Sequence, residues 1–281
     1  MMGLALMTVA MLILPLSDGI VKLLSDEYPI LFLNWARYLV GGLIFVPLAV
    51  PVVKNNRLTS DQVFALSGRT ILHVTAVSLY FLAIARVPIA DALGAYFVAP
   101  LVASALAVAL LNERLTRVQL IALTVGFVGA LVVVRPSTST DIGMLYAVGS
   151  GVVFGMFLVA TRKASQTVSA ITTLGFQCGL GTLLLLPLGI YLWTPIQFQH
   201  GILIVVAGGI WAAGHFAMIH AFKHTDAGVL APLVYLEILG GAGVGYLLFG
   251  NMPSATTIIG IALVVFSGLL VQRTTSATAV V

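Results

Sequence analysis

The sequence predicts an all-α membrane protein of ten transmembrane helices, arranged as two inverted five-helix repeats. Three observations lead to this fold class: the composition, ten apolar stretches separated by polar residues, and a similarity between the two halves of the chain. Hydrophobic residues make up 60% of the 281 residues and charged residues only 8%, whereas a soluble domain carries about 25% charged residues. Because so few charges could not cover a globule with polar surface, lipid is the expected solvent.

The composition also excludes several classes of protein. If a spanning helix takes ~20 residues, ten of them leave room in the 281 residues only for short loops, so a soluble enzyme on a membrane anchor is excluded. The net charge of +4 rests on 13 Lys and Arg against 9 Asp and Glu, and it gives no sign of nucleic-acid binding. The single cysteine, Cys178, excludes an internal disulfide framework and a multi-cysteine metal site.

The spans follow from the edges of the apolar stretches. Stretches such as Ala99–Leu111 are continuously apolar, whereas a barrel strand alternates over about 10 residues, so we interpret them as helices. The first stretch is too long for the core of a signal peptide and runs into Ser17 and Asp18, so we expect it in the mature protein. The ten predicted spans are 3–24, 30–50, 64–86, 88–111, 117–134, 142–161, 168–192, 201–222, 228–249 and 254–271.

Lysine and arginine are distributed unevenly between the two predicted faces. Arg37 lies within a span, and the opposite face carries Lys22, Arg86 and Arg135. Because cytoplasmic loops carry an excess of Lys and Arg, we expect both termini to be cytoplasmic. Nine basic residues fall on the face that holds the N-terminus: Lys54, Arg57, Arg69, Arg114, Arg117, Arg162, Lys163, Lys223 and Arg273.

The two halves of the chain resemble each other. Residues that match at an offset of 140 positions include Gly3 and Gly143, Lys22 and Arg162, and Pro47 and Pro187. Since each copy would hold five spans, an odd number, the second copy must lie upside down relative to the first. Secondary transporters built in this way bind their substrates near the midplane where the halves meet. We predict a first repeat over 1–136, a second over 137–273 and a short tail over 274–281.

Motifs around the fifth span carry a resemblance to a known family. Pro100 is followed by the sequence Leu-Asn-Glu-Arg-Leu-Thr over 111–116, and then by Gly126 and Gly129. These resemble the proline, the glutamate-containing turn and the glycine-bearing last helix of the EamA-type branch of the drug/metabolite transporter superfamily. In the second half, Asn251 or Met252 stands where the glutamate is expected.

The resemblance covers essentially the whole chain and implies a function. Bacterial members of similar length and layout include exporters of amino acids, aromatic amino acids among them. The resemblance therefore implies a multi-pass transporter of the bacterial inner membrane that exports amino acids or related small metabolites by alternating access. We expect no enzymatic activity, cofactor or metal. The expected partners are the small-molecule substrate and the lipid bilayer, without nucleic acid, for a monomer or weak homodimer.

Three charged residues, Asp18, Lys22 and Arg37, lie within the first two spans. Asp18 and Arg37 are each about 10 Å from the same end of their spans, at 1.5 Å per residue. An unpaired charge at that depth costs at least ~2.5 kcal/mol, so we expect them to pair. Lys22, four residues after Asp18 on the same helical face, competes for the carboxylate. The pair is either a fixed link between the two spans or an outer gate.

Glu237 lies near the membrane midplane, about ten residues into the ninth span. A carboxyl at this depth is expected to be protonated and hydrogen-bonded or to face a wet cavity. It either packs neutrally against polar neighbours or takes part in proton coupling or the binding of a substrate amine.

Aromatic and histidine side chains cluster at similar depths. Trp211 and His215 are one helical turn apart, and His73 and Tyr80 share a face of the third span. Most tryptophans of membrane proteins lie at the interfaces, so a central one indicates a polar neighbour. These side chains either line a small-molecule site, which is typically apolar with a few polar groups, or pack the helices together. The other candidate site residues are Tyr96, Phe157 and Tyr235.

Two other functions compete with amino-acid export. A carrier of phosphorylated sugars or nucleotide sugars would need several intramembrane Lys or Arg residues, and only Arg37 qualifies clearly. A membrane-embedded enzyme is suggested by Gly149-Ser150-Gly151, but nothing in the sequence places a base beside the serine. The sequence has no P-loop, so we expect a substrate or ion gradient to supply the energy.

Overall fold

The computed structural model describes residues 2–84, 86–87, 89–134, 141–250, 252 and 254–278, and this part of the chain is helical with no strand. The first half contains α1 (Met2–Leu24), α2 (Ile30–Asn55), α3 (Ser60–Ile84), α4 (Ile89–Tyr96), α5 (Ala99–Leu111) and α6 (Arg117–Val134). The second contains α7 (Ile142–Ser165), α8 (Ala170–Tyr191), α9 (Phe198–His224), α10 (Ala227–Leu230), the 3-10 helix Ala231–Leu236, α11 (Glu237–Phe249) and α12 (Ala255–Thr278).

These helices form ten membrane spans. In the described residues, eight helical segments are long and apolar enough to cross a bilayer, and Arg117–Val133 and Ala255–Val271 are shorter apolar helices. Large apolar side chains such as Leu43 and Leu145 are about 70% exposed on the outside of the bundle, which fits a surface that faces lipid. The predicted ten-helix membrane fold is confirmed.

Two of the ten spans are discontinuous. The predicted span 88–111 is divided into α4 and α5, and the predicted span 228–249 into α10, the 3-10 helix and α11. Pro100 and Pro232 lie beside these breaks, and each lacks the N–H that a continuous helix would use. Broken helices at corresponding positions of two halves are typical of carriers built from inverted repeats.

The same two spans end in the same way. Asn112 follows α5 with a φ of 54°, and Gly250 follows α11 with a φ of 67°. A residue in this left-handed conformation commonly ends a helix by satisfying its last carbonyl groups, and here the amides of Asn112 and Gly250 bond back into their helices. The two halves thus share a local feature that relates α5 to α11.

The packing of the helices has a two-fold pattern. Helix α2 packs against its counterpart α8, and α6 against its counterpart α12. The contact of α1 with α9 corresponds to that of α7 with α3, and the contact of α5 with α7 corresponds to that of α11 with α1. The halves therefore interlock along most of their length. The predicted boundary between them, 136/137, lies outside the described residues.

Short loops place alternate helix ends on the same face of the bundle. The start of α1 lies beside the end of α9, since a Cβ on Gly3 would come within 2.9 Å of the Ala221 carbonyl oxygen. We call this the N-terminal face, and the other the opposite face. Helix α12 continues to Thr278, which lies within the predicted tail 274–281.

Arg69 differs from its expected position. It is counted among the basic residues of the N-terminal face, although it lies within the predicted span 64–86. In the structure α3 begins at Ser60, four residues before that span, and the Arg69 side chain is buried with 1% exposure. Thr59 and Gln62 cap the start of this helix reciprocally. The basic residues counted on the N-terminal face are therefore eight. Arg135, one of the three basic residues predicted at the opposite face, lies outside the described residues.

Glycines allow α7 to approach the break between α4 and α5. A Cβ on Gly151 would lie 2.5 Å from the Tyr96 carbonyl oxygen, and one on Gly155 would lie 2.8 Å from that of Ala99. Gly241 of α11, by contrast, has no atom within 4 Å of its Cβ position. Only the first two of these glycines are needed for close packing.

We therefore expect Gly151→Ala to destabilise the protein, by about 1–3 kcal/mol, because the methyl group meets a backbone carbonyl that cannot move aside easily. Gly241→Ala is the matched control, and we expect it to be neutral or slightly stabilising, since alanine favours a helix over glycine by about 1 kcal/mol. Thermal unfolding of both variants in detergent measures the difference. Equal melting temperatures for the two variants would contradict this account of the packing.

Candidate functional site

Five buried rings from both halves meet in the middle of the bundle. The rings of Trp211 and His215 on α9 are 4.5 Å apart, and His73 on α3 lies 4.8 Å from His215 and 4.5 Å from Phe157 on α7. Tyr38 on α2 completes the group, 4.7 Å from Trp211. We call these five residues the central cluster. Each is at most 7% exposed, so the predicted one-turn spacing of Trp211 and His215 does bring their rings together.

A polar network adjoins the central cluster. The Tyr38 hydroxyl is hydrogen-bonded to His73 Nδ1, and Gln177 Nε2 lies 3.5 Å from the same nitrogen. Arg69 Nη1 donates to Gln177 Oε1 at 2.6 Å, and its Nε donates to Thr161 Oγ1 at 2.8 Å. The guanidinium also lies over the Phe157 ring, 4.7 Å from its centroid. Arg69 is thus the functional candidate that the sequence analysis missed.

Asp18 and Arg37 form an ion pair between α1 and α2. Arg37 Nη1 donates to Asp18 Oδ1 at 2.6 Å, and Nη2 donates to Asn34 Oδ1 at 3.1 Å. Lys22 does not compete for the carboxylate, since its ammonium lies over the Phe249 ring at 4.7 Å. The Arg37 side chain is buried, but that of Asp18 is 57% exposed. The pair is therefore accessible from one side.

Asp18 belongs to a second group of residues, which we call the acidic vestibule: Asp18, Tyr80, Tyr96 and Glu237. The Tyr80 and Tyr96 rings are 5.6 Å apart. Asp18 and Glu237 lie close enough to both phenols, and to each other, for their charges to interact. Both tyrosines and Glu237 are only partly buried. Two acidic side chains from opposite halves of the chain, Asp18 and Glu237, thus lie near the two tyrosines.

Aromatic rings connect the vestibule to the central cluster. Phe154 of α7 lies 5.2 Å from the Tyr96 ring and 5.4 Å from the Phe157 ring. The rings therefore form a continuous series of contacts from Tyr96 through Phe154 to Phe157. Such a series of faces and edges can hold a flat or apolar group at several positions.

The structure does not bring every candidate into these two groups. The Tyr235 ring packs 5.8 Å from that of Phe97, and its hydroxyl donates to the Phe97 carbonyl oxygen at 3.4 Å. It also fills the space beside Gly126. The Ser150 hydroxyl, considered for an enzyme, donates to the Ala76 carbonyl oxygen at 2.7 Å and so links α7 to α3.

Three charged residues link the two halves at the N-terminal face. Glu113 accepts hydrogen bonds from the backbone amides of Ala227 and Gly228 at 3.0 and 2.9 Å, and Arg162 Nε lies 3.5 Å from its carboxylate. Arg162 also pairs with Asp226. We call Glu113, Arg162 and Asp226 the latch. Because Glu113 follows α5 and the other two residues belong to the second half, the latch fastens α10 to the first half.

The two faces of the bundle differ in how they are closed. At the N-terminal face, α10 packs on α5 and the latch covers the contact. At the opposite face, the corresponding helix α4 packs on α7, α6 and α3. Lys22, which matches Arg162 in the other half, contacts the ring of Phe249. Charged groups of both halves therefore hold the N-terminal face together, whereas at the opposite face the Asp18 side chain is exposed.

The fold and this arrangement define a class of protein: a polytopic helical membrane transporter. The model of the EamA-like transporter family matches residues 1–135 and 141–273. The chain therefore belongs to the EamA-like transporter family, as its motifs indicated.

Characterised relatives of similar length show what members of this family carry. The S-adenosylmethionine uptake transporter of Rickettsia prowazekii (strain Madrid E) is 26% identical over 259 residues, which cover 91% of this chain and 87% of that protein. The pseudopaline exporter CntI of Pseudomonas aeruginosa (strain UCBPP-PA14) is 26% identical over 278 residues, which cover 97% of this chain and 96% of that protein. A solved crystal structure superposes with a TM-score of 0.79 at 19% identity and covers 95% of both chains, which supports the fold alone.

Proposed function

We propose that this transporter carries amino acids, aromatic ones among them, or related small metabolites with an amino group, by alternating access. The observation that supports this most directly is the acidic vestibule. An ammonium group needs an anionic partner. Glu237 and the exposed Asp18 carboxylate, which also pairs with Arg37, are the two acidic groups that can interact with it from the two halves, and aromatic faces such as those of Tyr80 and Tyr96 attract cations. The rings that lead on to the central cluster suit an apolar or aromatic side chain.

The relatives support a substrate of this chemistry. S-adenosylmethionine, which the Rickettsia protein takes up, is an α-amino acid that also carries a sulfonium cation and an adenine ring. A carrier for it needs carboxylates and aromatic surface, the two features that the vestibule combines. One relative is an uptake transporter and another an exporter, and a secondary carrier moves its substrate in whichever direction the gradients favour. We propose export for this chain.

The orientation that we propose places the N-terminal face in the cytoplasm of a bacterium, with the protein in the inner membrane and the second repeat inverted relative to the first. The bias of Lys and Arg toward the N-terminal face supports this orientation. We expect reporter fusions at Asn55 to score as cytoplasmic and fusions at Pro195 as external. Identical scores at the two sites would contradict both the orientation and the inverted repeat.

The experiment that tests the proposed function is counterflow in proteoliposomes. Vesicles loaded with unlabelled phenylalanine should accumulate labelled phenylalanine transiently and release it unchanged, because a carrier exchanges its substrate across the membrane. A channel would show no such accumulation, and an enzyme would release a changed product. We expect Glu237→Gln to reduce the accumulation strongly, since the ammonium loses an anionic partner. Asp61→Asn, which alters an exposed carboxylate at the start of α3, is the control.

A carrier of phosphorylated sugars or nucleotide sugars is the alternative that the same experiment addresses. Two arginines, Arg37 and Arg69, are buried within the spans, but Arg37 is neutralised by Asp18. Counterflow of a labelled sugar phosphate, with none of phenylalanine, would replace the proposed substrate class with this one.

A further inference from the structure

Arg69 is a buried cation that lacks a counter-charge. Its side chain is 1% exposed, and its hydrogen-bond acceptors, Thr161 and Gln177, are both neutral. Its third nitrogen, Nη2, is buried without any hydrogen-bond partner. Among the side chains that the structure describes, no carboxylate lies within 4.0 Å of this guanidinium.

Two other arginines, near the vestibule and in the latch, are paired with carboxylates. Arg37 pairs with Asp18, and Arg162 pairs with Asp226 and Glu113. A charge buried without a partner is strongly destabilising, and buried polar groups are normally satisfied. The uncompensated guanidinium therefore indicates an anion that joins the protein only when a substrate is present.

The surroundings of Arg69 favour an anion at this position. Arg69 lies on the Phe157 ring and shares Gln177 with His73. The ring of His215 lies 4.8 Å from that of His73, and its Nδ1 is also buried without a partner. Two buried polar groups without a hydrogen-bond partner thus lie near one imidazole at the central cluster, on α3 and α9.

We propose that Arg69 binds the carboxylate of the transported substrate and so determines that the substrate is an amino acid rather than an amine. The inference rests on the proposed function, because the carboxylate belongs to the amino acid carried there. A single guanidinium with neutral neighbours matches the single charge of a carboxylate, whereas a phosphate dianion calls for further cations.

The geometry also gives the order in which an entering substrate meets the charged groups. Arg69 is one turn closer to the start of α3 than His73, and so nearer to the N-terminal face. The vestibule carboxylates lie at the other end of the ring series that includes Tyr96, Phe154 and Phe157. The ammonium and the carboxylate of an α-amino acid share one carbon atom and cannot reach both ends of this series at once. A zwitterion that enters from the opposite face therefore meets Asp18 and Glu237 first and Arg69 second.

The first test compares phenylalanine with phenethylamine, which has the same ring and ammonium but no carboxylate. We expect wild-type proteoliposomes to favour phenylalanine in transport efficiency by about 10-fold or more, the effect of one hydrogen bond between charged groups. In Arg69→Gln this preference disappears because phenylalanine transport falls while phenethylamine transport is kept. Arg69→Lys retains part of the preference, and Arg57→Gln, an exposed loop variant, retains all of it. An equal fall for both compounds in Arg69→Gln overturns the proposal.

A second test needs no folded variant. Ligands that bind the native state raise its melting temperature, so phenylalanine should stabilise purified wild-type protein more than phenethylamine or phenylalaninamide does. Equal shifts from all three overturn the carboxylate site even if Arg69→Gln fails to fold.

Failure of the proposed function would look different. In that case wild-type vesicles would transport neither phenylalanine nor phenethylamine. The anion site is then tested with acetate and with inorganic phosphate alone, as shifts in the melting temperature of wild-type protein and of Arg69→Lys. A larger shift by acetate in the wild type supports a carboxylate site for a substrate of another class. A larger shift by phosphate, or none by either anion, overturns it.

Discussion

Trp211→Ala is expected to reduce amino-acid transport at least several-fold. The Trp211 ring is 5% exposed and contacts Tyr38 and His215 of the central cluster at 4.7 and 4.5 Å. Removing the ring takes away a surface on which we expect a substrate ring to pack. Each such ring contact contributes about 0.5–1.5 kcal/mol to binding, in addition to the contribution of the buried apolar area. Uptake of labelled phenylalanine at several concentrations measures the loss, beside a size-exclusion profile.

Truncating a buried tryptophan also costs about 3–5 kcal/mol of stability, so the comparison needs two further variants. Trp211→Phe keeps an aromatic ring at the central cluster, and we expect it to recover much of the transport. Trp193→Ala removes a tryptophan that is 58% exposed and packs on Phe32, and transport should stay near the wild-type rate. Wild-type uptake by a monodisperse Trp211→Ala variant would show that the central cluster packs the helices together and does not bind the substrate.

Glu113→Gln is expected to open the N-terminal face. The carboxylate accepts from two backbone amides of α10 and lies beside Arg162, and an uncharged amide keeps the shape but loses the charge. A hydrogen bond to a charged group contributes about 1.5–3 kcal/mol. A change of that size in the balance between two conformations shifts their ratio roughly 10-fold or more.

Cysteine labelling measures this opening. Cys178 is buried, so Cys178→Ala gives a background without cysteine, and Ser104→Cys then places a thiol at a buried position on α5, about two turns before the latch. Glu113→Gln should raise labelling of this thiol from the N-terminal face by about 10-fold. Glu27→Gln, which changes a carboxylate at the opposite face, is the control. Equal labelling with and without Glu113→Gln would show that the latch does not hold this face closed.

The sequence was sufficient to predict the number of spans and their approximate bounds, because hydrophobicity and length determine them. The predicted span 117–134 coincides with α6, whose start has a reciprocal cap between Thr116 and Gln119. The same signal, Thr59 followed by Gln62, marks the start of α3. Arg69 lies within the predicted span 64–86 as well, but hydrophobicity and length do not show which side chains of a span are buried in the bundle. The burial of this arginine depends on the packing of α3 against α7 and α8.

The candidate site was predictable only in part, since helical spacing relates residues on one helix but not on different helices. Trp211 and His215 share a face through their spacing, whereas the approach of His73 to His215 depends on how α3 and α9 cross. For the same reason, depth alone could not separate Tyr235, which packs on Phe97, from the tyrosines of the vestibule. The latch was not predictable either, because the motif around Glu113 does not show that its side chain contacts residues of the second half.

The latch should make the conformation closed at the N-terminal face lower in energy than the conformation closed at the opposite face. Glu113 fastens the N-terminal face, whereas the corresponding part of the second half has Asn251 and Met252, neither of which carries a carboxylate; Asn251 lies outside the described residues. In the orientation that we propose, we therefore expect the empty carrier to rest with its vestibule facing away from the cytoplasm. If the protein exports its substrate, as we propose, the latch must break before the substrate can bind from the cytoplasm. We then expect the return of the empty site to the cytoplasm, rather than release outside, to limit the turnover.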